Sequence, residues 1–205
     1  MKYPLALPTG RLVLVRHGQT SWSRSGRHTG LTDIPLLPEG EQDARRAGAA
    51  LADLPFALVL SSPLQRARRT AELAGFAPTV TRDLQEWDYG GYEGLTRAEI
   101  QDKTQQPWDI FRDGVVPGST PGETIEEVAA RASRVLAQVT PVLADGNVLL
   151  VAHGHLLRVL AATWLRMPPR LAAGLVLEPG AVSVLGYQHD DPAIRVWNRR
   201  ETAVS

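Results

Sequence analysis

Arg16-His17-Gly18 follows a short aliphatic run, and a neutral imidazole is the one common nitrogen nucleophile available near neutral pH, with a reference pKa of about 6.5. To attack, such a ring must present a lone pair, so its other nitrogen should be held by a backbone carbonyl, with Gly18 the candidate. Arginine offers a rigid fork of donors matched to phosphate and stays charged at any relevant pH, a property that Arg16 shares with Arg66 in Ser61-Ser62-Pro63-Leu64-Gln65-Arg66. Glu86 lies in Glu86-Trp87-Asp88-Tyr89-Gly90, where aromatic neighbours could make a semi-enclosed carboxyl able to supply a proton. Val151-Ala152-His153-Gly154-His155 adds two more imidazoles. Taken singly these signals are weak: a histidine at a strand end is often merely hydrogen-bonded, and a loop carboxylate is usually a surface group. His153 and His155 could also be read as metal ligands, but no third ligand cluster accompanies them, so no metal is expected.

The elements that must position these residues are readable from periodicity. Arg11 to Val15, Ala57 to Leu60 and Asn147 to Ala152 read as buried strands, each ending on polar residues. Pro38 is placed to open a helix carrying Ala44, Ala47, Leu51 and Leu54, and Ser62-Pro63 reads as an N-cap followed by an N1 proline, opening a helix to about Ala74. Ile125, Val128, Ala132, Val135 and Val139 give an amphipathic helix from Glu123 to about Leu143, with Pro141 disturbing its last turn. A further helical run covers Leu156 to Leu165, and Val182 to Tyr187 and Ile194 to Trp197 read as closing strands around an Asp190-Asp191-Pro192 turn. Strands alternating with helices predict an α/β fold: a doubly wound, mostly parallel central sheet flanked by helices, with ligands beyond the carboxyl ends of the strands. Residues from about Glu86 to Pro121 read as a small lid insertion after the glutamate motif, with capping-box spacing from Thr96 to Glu99.

Bulk properties narrow the classes. At 205 residues and 43% hydrophobic content, one domain spanning 1–205 is expected. Lys and Arg number 22 against 22 Asp and Glu, so no global field attracts nucleic acid or a lipid surface, and any anion site must be local. The absence of cysteine excludes thiolate chemistry and disulfides. Pro4 and Pro8 interrupt the amino end before signal-peptide length, and no segment approaches a membrane span, so a cytoplasmic protein is the expectation.

Four motifs in one order and spacing closely resemble the histidine phosphatase superfamily, the phosphoglycerate-mutase-like proteins, over nearly the whole chain. They are Leu14-Val15-Arg16-His17-Gly18-Gln19-Thr20, Ser61-Ser62-Pro63-Leu64-Gln65-Arg66-Ala67, Glu86-Trp87-Asp88-Tyr89-Gly90 and Val151-Ala152-His153-Gly154-His155. The resemblance implies His17 as the phospho-accepting nucleophile, Arg16, Arg66 and His153 holding the phosphoryl oxygens, and Glu86 as proton donor. It places Ser23 where the family usually has asparagine, and Thr29-Gly30 on a phosphate-side loop whose N–H and hydroxyl would reach substrate. Tyr89 and Gly154 are counted with the substrate-binding residues, and His28 and His155 are candidates for the entrance or the lid. The phosphoglycerate mutases carry a longer insert with extra basic residues. Here Arg97, Lys103 and Arg112 are spread among acids, which favours a hydrolase. The expected activity is therefore hydrolysis of small phosphorylated metabolites, with sugar phosphates the first substrate class and no cofactor. A cofactor-dependent phosphoglycerate mutase and a non-catalytic phosphate-binding module are the alternatives, and a homodimer is left open.

Overall fold

The computed structural model describes residues 9–200, whose strands form one six-stranded sheet in the order β3-β2-β4-β1-β5-β6. Four run parallel: β1 (Leu12–Arg16), β2 (Phe56–Ser61), β3 (Thr79–Val80) and β4 (Asn147–Ala152). At one edge β5 (Val182–Gln188) and β6 (Asp191–Arg199) are antiparallel. The helices are α1 (Ser21–Ser25), α2 (Pro38–Leu51), α3 (Gln65–Leu73), α4 (Arg97–Thr104), α5 (Ile110–Asp113), α6 (Ile125–Val139) and α7 (Gly154–Trp164). The amino-terminal segment that carries Pro4 and Pro8 lies outside the described residues. Among the described residues no helix is long and apolar enough to cross a membrane.

The central strands are apolar on both faces because helices cover both. Leu12 and Leu14 of β1, with Val148, Leu150 and Ala152 of β4, join the larger core against α6 and α7. Val13 and Val15, with Leu149 and Val151, point the other way onto Ala47 and Leu51 of α2 and Ala67 and Ala71 of α3. The chain thus leaves β1 for α2 on one face and leaves the adjacent β4 for α7 on the other. Their carboxyl ends, paired at Arg16 and Ala152, form the crevice where a doubly wound sheet takes its ligand.

Four details differ from the sequence reading. The third helix opens at Gln65, not at Ser62-Pro63, and Leu64 caps it without a side-chain bond. The Ser62 hydroxyl instead meets the Leu64 N–H at 3.3 Å and the His153 ring at 2.7 Å. Asp191 and Pro192 belong to β6, where Pro192 opposes Tyr187, and the turn falls one step earlier on His189 and Asp190. A proline is tolerated there because β6 is an edge strand whose outer donors have no partner strand among the described residues. α6 ends at Val139, and Pro141–Ala144 continue as a 3₁₀ turn. Finally, the two-residue β3, whose residues are exposed, has no hydrophobic pattern to announce it.

The stretch 81–124, which contains the expected 86–121 insertion, contributes no strand to the sheet. Its aromatic residues are buried: Trp87, Tyr89, Tyr92, Trp108 and Phe111 all join the larger core. The Thr96–Glu99 capping box forms as expected at the start of α4. This segment roofs the carboxyl end of the sheet as a packed wall, and it brings Glu86 against the start of α7.

Candidate active site

His17 leaves the end of β1 with its N–H bonded to Ala152 O at 2.9 Å, which fixes it to the neighbouring strand. Its Nδ1 lies 2.7 Å from Gly18 O, so Nδ1 carries the proton and Nε2 keeps a lone pair. The Gly18 carbonyl is itself anchored. Gly18 donates its N–H to Thr70 Oγ1 at 3.1 Å, Thr70 donates to Arg66 O at 2.7 Å, and a Cβ on Gly18 would lie 2.1 Å from Gly40 O. Burial, with Arg66 and then Arg16 nearby, holds the His17 imidazole well below its ordinary value, so the ring is neutral at pH 7. A neutral imidazole with a fixed tautomer and an open Nε2 has the form a nitrogen nucleophile needs.

The two arginines behave differently. Arg66 is fully buried and donates four hydrogen bonds: Nε to His153 Nδ1 at 3.2 Å, Nη1 to Thr32 O at 2.9 Å, and Nη2 to Thr29 O and Gly30 O at 3.0 and 2.8 Å. Against the five N–H groups of a guanidinium, little is left for a bidentate grip. Arg16 donates only from Nη1, to Leu177 O, and its buried Nε has no hydrogen-bond partner among the described residues. Arg16 is thus the guanidinium with an open fork. The Cβ of any residue at 154 would come within 3.2 Å of Arg16 Cζ, so Gly154 leaves this side chain its room.

His153 sits beside His17, ring centroids 5.2 Å apart. Its Nδ1 accepts from Arg66, so its Nε2 carries the proton and faces Ser62 Oγ. Burial, then Arg66 and His17, keep it neutral by holding its pKa well below normal. Glu86 is buried at the amino end of α7: Oε1 accepts from the N–H of Trp87 and Leu156 at 3.0 and 2.9 Å, and Oε2 from that of His155 at 3.1 Å. α7 has no cap within its own sequence neighbourhood, and this carboxylate from the roof supplies one.

A cavity of about 180 Å³ opens above these groups, and Arg16, His17, Ser23, Thr29, Glu86, Tyr89 and Gly154 all line it. Arg66, His153 and Gly30 lie behind that lining. The Ser23 hydroxyl donates to Thr20 O and accepts from Thr20 N–H, closing the capping box of α1. Thr29 Oγ1 donates to Arg27 O at 3.2 Å, and the Gly30 N–H goes to both Glu93 oxygens at 3.0 Å. The expected substrate-side donors of this loop are therefore directed to protein in this structure, because the loop is clamped between Glu93 and Arg66.

The rest of the lining was only partly anticipated. His28 borders the cavity, with Nδ1 on Leu95 O at 2.8 Å and its ring stacked parallel on His155 at 5.9 Å. His155 is the second residue of α7 and meets the Tyr89 hydroxyl at 2.5 Å. Burial lowers the pKa of both imidazoles and raises that of Tyr89 well above the phenol range. Arg27 also lines the cavity, paired with Glu99 at 3.0 Å. Arg158 escaped the sequence reading, although its spacing from Gly154 on one helix face was the available signal. Thr70 and Glu93 were missed because their contacts join segments 52 and 61–63 residues apart. Among the described residues no group of three or more histidines and carboxylates is placed to hold a metal. A larger groove, about 620 Å³, lies along α5 and residues 169–173 and includes none of the groups at the strand ends.

Comparison with known proteins agrees with this geometry. A family model, the histidine phosphatase superfamily (branch 1), matches residues 12–200. An acid phosphatase of Mycobacterium tuberculosis is 35% identical over 182 residues, 87% of each chain. The sedoheptulose 1,7-bisphosphatase of Saccharomyces cerevisiae is 36% identical over 187 residues, 76% of this chain and 68% of its own. A solved open reading frame product of Mycobacterium tuberculosis superimposes with a TM-score of 0.88 at 33% identity, covering 94% of this chain and 98% of that one. Relatives bearing the name phosphoglycerate mutase match as well.

Proposed function

The chain belongs to branch 1 of the histidine phosphatase superfamily, and from that we propose that it is a phosphomonoesterase that hydrolyses small phosphorylated metabolites through a phosphohistidine on His17. The observation that carries the reading is the pairing, in one cavity, of a neutral imidazole with open Nε2 and an arginine that gives protein a single hydrogen bond. In-line attack by Nε2 forms the N–P bond while the ester C–O–P bond breaks at phosphorus, and Arg16 meets the charge spreading over the equatorial oxygens. Arg66 and His153 support the phosphoryl site from behind, and Glu86 protonates the departing alkoxide and then takes a proton from the water that cleaves phospho-His17. Thr29, Ser23, Tyr89 and Gly154 border the leaving group.

Sugar phosphates are the substrate class we favour, since relatives with such names include a sedoheptulose bisphosphatase and a glucosyl-3-phosphoglycerate phosphatase. Hydrolysis is favoured over phosphoryl exchange between carbons because Arg97, Lys103 and Arg112 of the roof do not border the cavity. The reaction as drawn uses no metal and no cofactor. The formal charge of zero offers nothing to nucleic acid or an anionic membrane, and a cytoplasmic location accords with this chemistry. The test is a rapid quench with labelled substrate. Wild type should carry acid-labile, alkali-stable phosphate, and His17→Ala should carry none. Acid-stable, alkali-labile label would indicate an acyl phosphate and overturn the assignment of His17.

A further inference from the structure

We infer that Arg131 of α6, which lies outside the cavity, is a positioning residue for the general acid. Together with Glu123 it fixes the stretch of roof that carries Glu86, and so decides how well that carboxyl meets the departing oxygen. This role rests on the reading of Glu86 as the acid.

Arg131 commits every N–H group to protein. Its Nε and Nη2 pair with the two Glu123 oxygens at 2.7 and 2.8 Å, Nη1 donates to Asp83 O and Gln85 O at 2.9 and 3.0 Å, and Nη2 also reaches Glu86 O at 3.4 Å. Those bonds use all five donors of a guanidinium, so none is left for a ligand, and Arg131 is not among the residues lining the cavity. Glu123 closes the clamp from the other end. Its Oε2 accepts the Asp88 N–H at 3.0 Å, its carbonyl accepts the Trp87 indole N–H at 2.7 Å, and its own N–H goes to Asp88 O at 3.0 Å. Glu123 directly precedes the Thr124 cap of α6, and Arg131 stands about two turns along that helix, so the start of one helix grips the chain on both sides of Glu86. With side chains only 12% and 22% exposed, this two-pronged ion pair is shielded from water and keeps its geometry.

The Glu86 head is held by a different element. Oε1 accepts two N–H groups, those of Trp87 and Leu156, whereas Oε2 accepts one, that of His155 at the start of α7. A carboxylate oxygen has two lone pairs, so Oε2 keeps one free and is the oxygen that carries the proton. As the P–O ester bond breaks, the proton passes from Oε2 to the leaving oxygen and the carboxylate returns. α6 thus fixes the backbone of the acid and α7 its head, and a shift of either moves Oε2 off the line of transfer. Arg134, three residues beyond Arg131, provides a contrast: it bonds the Asp83 carboxylate at 2.6 Å with its own side chain 58% exposed, and no backbone of the 83–88 stretch depends on it among the described residues.

The experiment measures single-turnover phosphorylation by phenyl phosphate and by 4-nitrophenyl phosphate, esters of one shape whose leaving groups differ in basicity. Arg131→Lys keeps the charge beside Glu123 but has three N–H groups where five are used, and Glu123→Gln keeps the size and one acceptor. Each should slow phenyl phosphate about tenfold or more, the scale of a displaced catalytic group, and 4-nitrophenyl phosphate far less. Arg134→Gln should leave both rates as in wild type. Added to Glu86→Gln, Arg131→Lys should change the ratio of the two rates no further, because the acid that it positions is gone. Urea midpoints taken alongside refer the rates to folded protein, and if Arg131→Lys does not fold, Glu123→Gln carries the test. Equal slowing of both esters in the folded variants, or a ratio change that adds to that of Glu86→Gln, overturns the positioning role and leaves Glu86 as the acid. If Glu86→Gln itself slows both esters equally, the acid reading fails and the role of Arg131 falls with it. A wild type that is phosphorylated by neither ester removes the hydrolase reading and this role together.

Discussion

Arg16→Ala and Arg66→Ala should fail in opposite ways, although both remove an arginine from the phosphoryl site. Arg66 serves four acceptors, of which Gly30 O and His153 Nδ1 are buried and Thr29 O and Thr32 O are partly exposed. Stranding a buried acceptor costs about 1–3 kcal/mol and losing a partly wet one about 0.5–1.5, so Arg66→Ala should destabilise the fold by about 3–9 kcal/mol. That rivals the whole stability of a typical domain, about 5–15 kcal/mol. Arg16 gives up a single bond, to Leu177 O, and removes a buried Nε that has no partner, so its loss should change stability by no more than about 1.5 kcal/mol. Its effect on turnover should be large, about 10²–10³ in kcat, the scale of one oxyanion donor removed from a preorganised site. Urea denaturation of both variants, with kcat and KM for the folded fraction, separates the two cases. An Arg66→Ala protein as stable as wild type, or an Arg16→Ala protein that loses stability and keeps its turnover, would refute the division of labour read from these contacts.

Two further outcomes follow from the same geometry. Glu86→Gln keeps one acceptor oxygen for the α7 N–H groups where the carboxylate offered two, and cannot deliver a proton, so single-turnover phosphorylation by sugar-phosphate esters should slow by about 10²–10⁴, and by 4-nitrophenyl phosphate, whose leaving group needs little help, far less. Equal losses on both would remove Glu86 as the general acid. Burial is the leading cause that holds His17, His28, His153 and His155 below their ordinary values, so the unfolded chain takes up protons at about pH 6.5 while the folded one stays neutral. Stability should be full above that pH and fall as pH drops through the folded-state values, by up to about 1.4 kcal/mol per pH unit for each imidazole. Denaturation midpoints measured from about pH 7.5 down to about pH 5.5 check this, and a flat profile would mean that these rings are already protonated or open to water.

Local order along the chain settled much of this protein. β4 ends where the hydrophobic run predicts, α2 opens on Pro38, and the capping box read from Thr96 forms because it needs only residues three apart. The motifs around His17, Glu86 and His153 named the residues that gather at the cavity, since each sits at or near an element's end, and element ends in a doubly wound sheet converge. The Gly18 carbonyl could be expected to hold His17 because a residue's own neighbour is always within reach. What tertiary structure alone decided is where every donor goes. Arg16 and Arg66 are the same residue type with the same affinity for phosphate, yet the clamped loop 29–32 engages one and leaves the other open. Ser62 faces His153 rather than capping α3, Glu86 caps a helix that begins 68 residues later, and Arg158 rather than any basic residue of the roof reaches the cavity. Periodicity tells which face of a helix is apolar, but hydrogen bonds are directional and short, and which of them form depends on the meeting of segments that sequence leaves far apart.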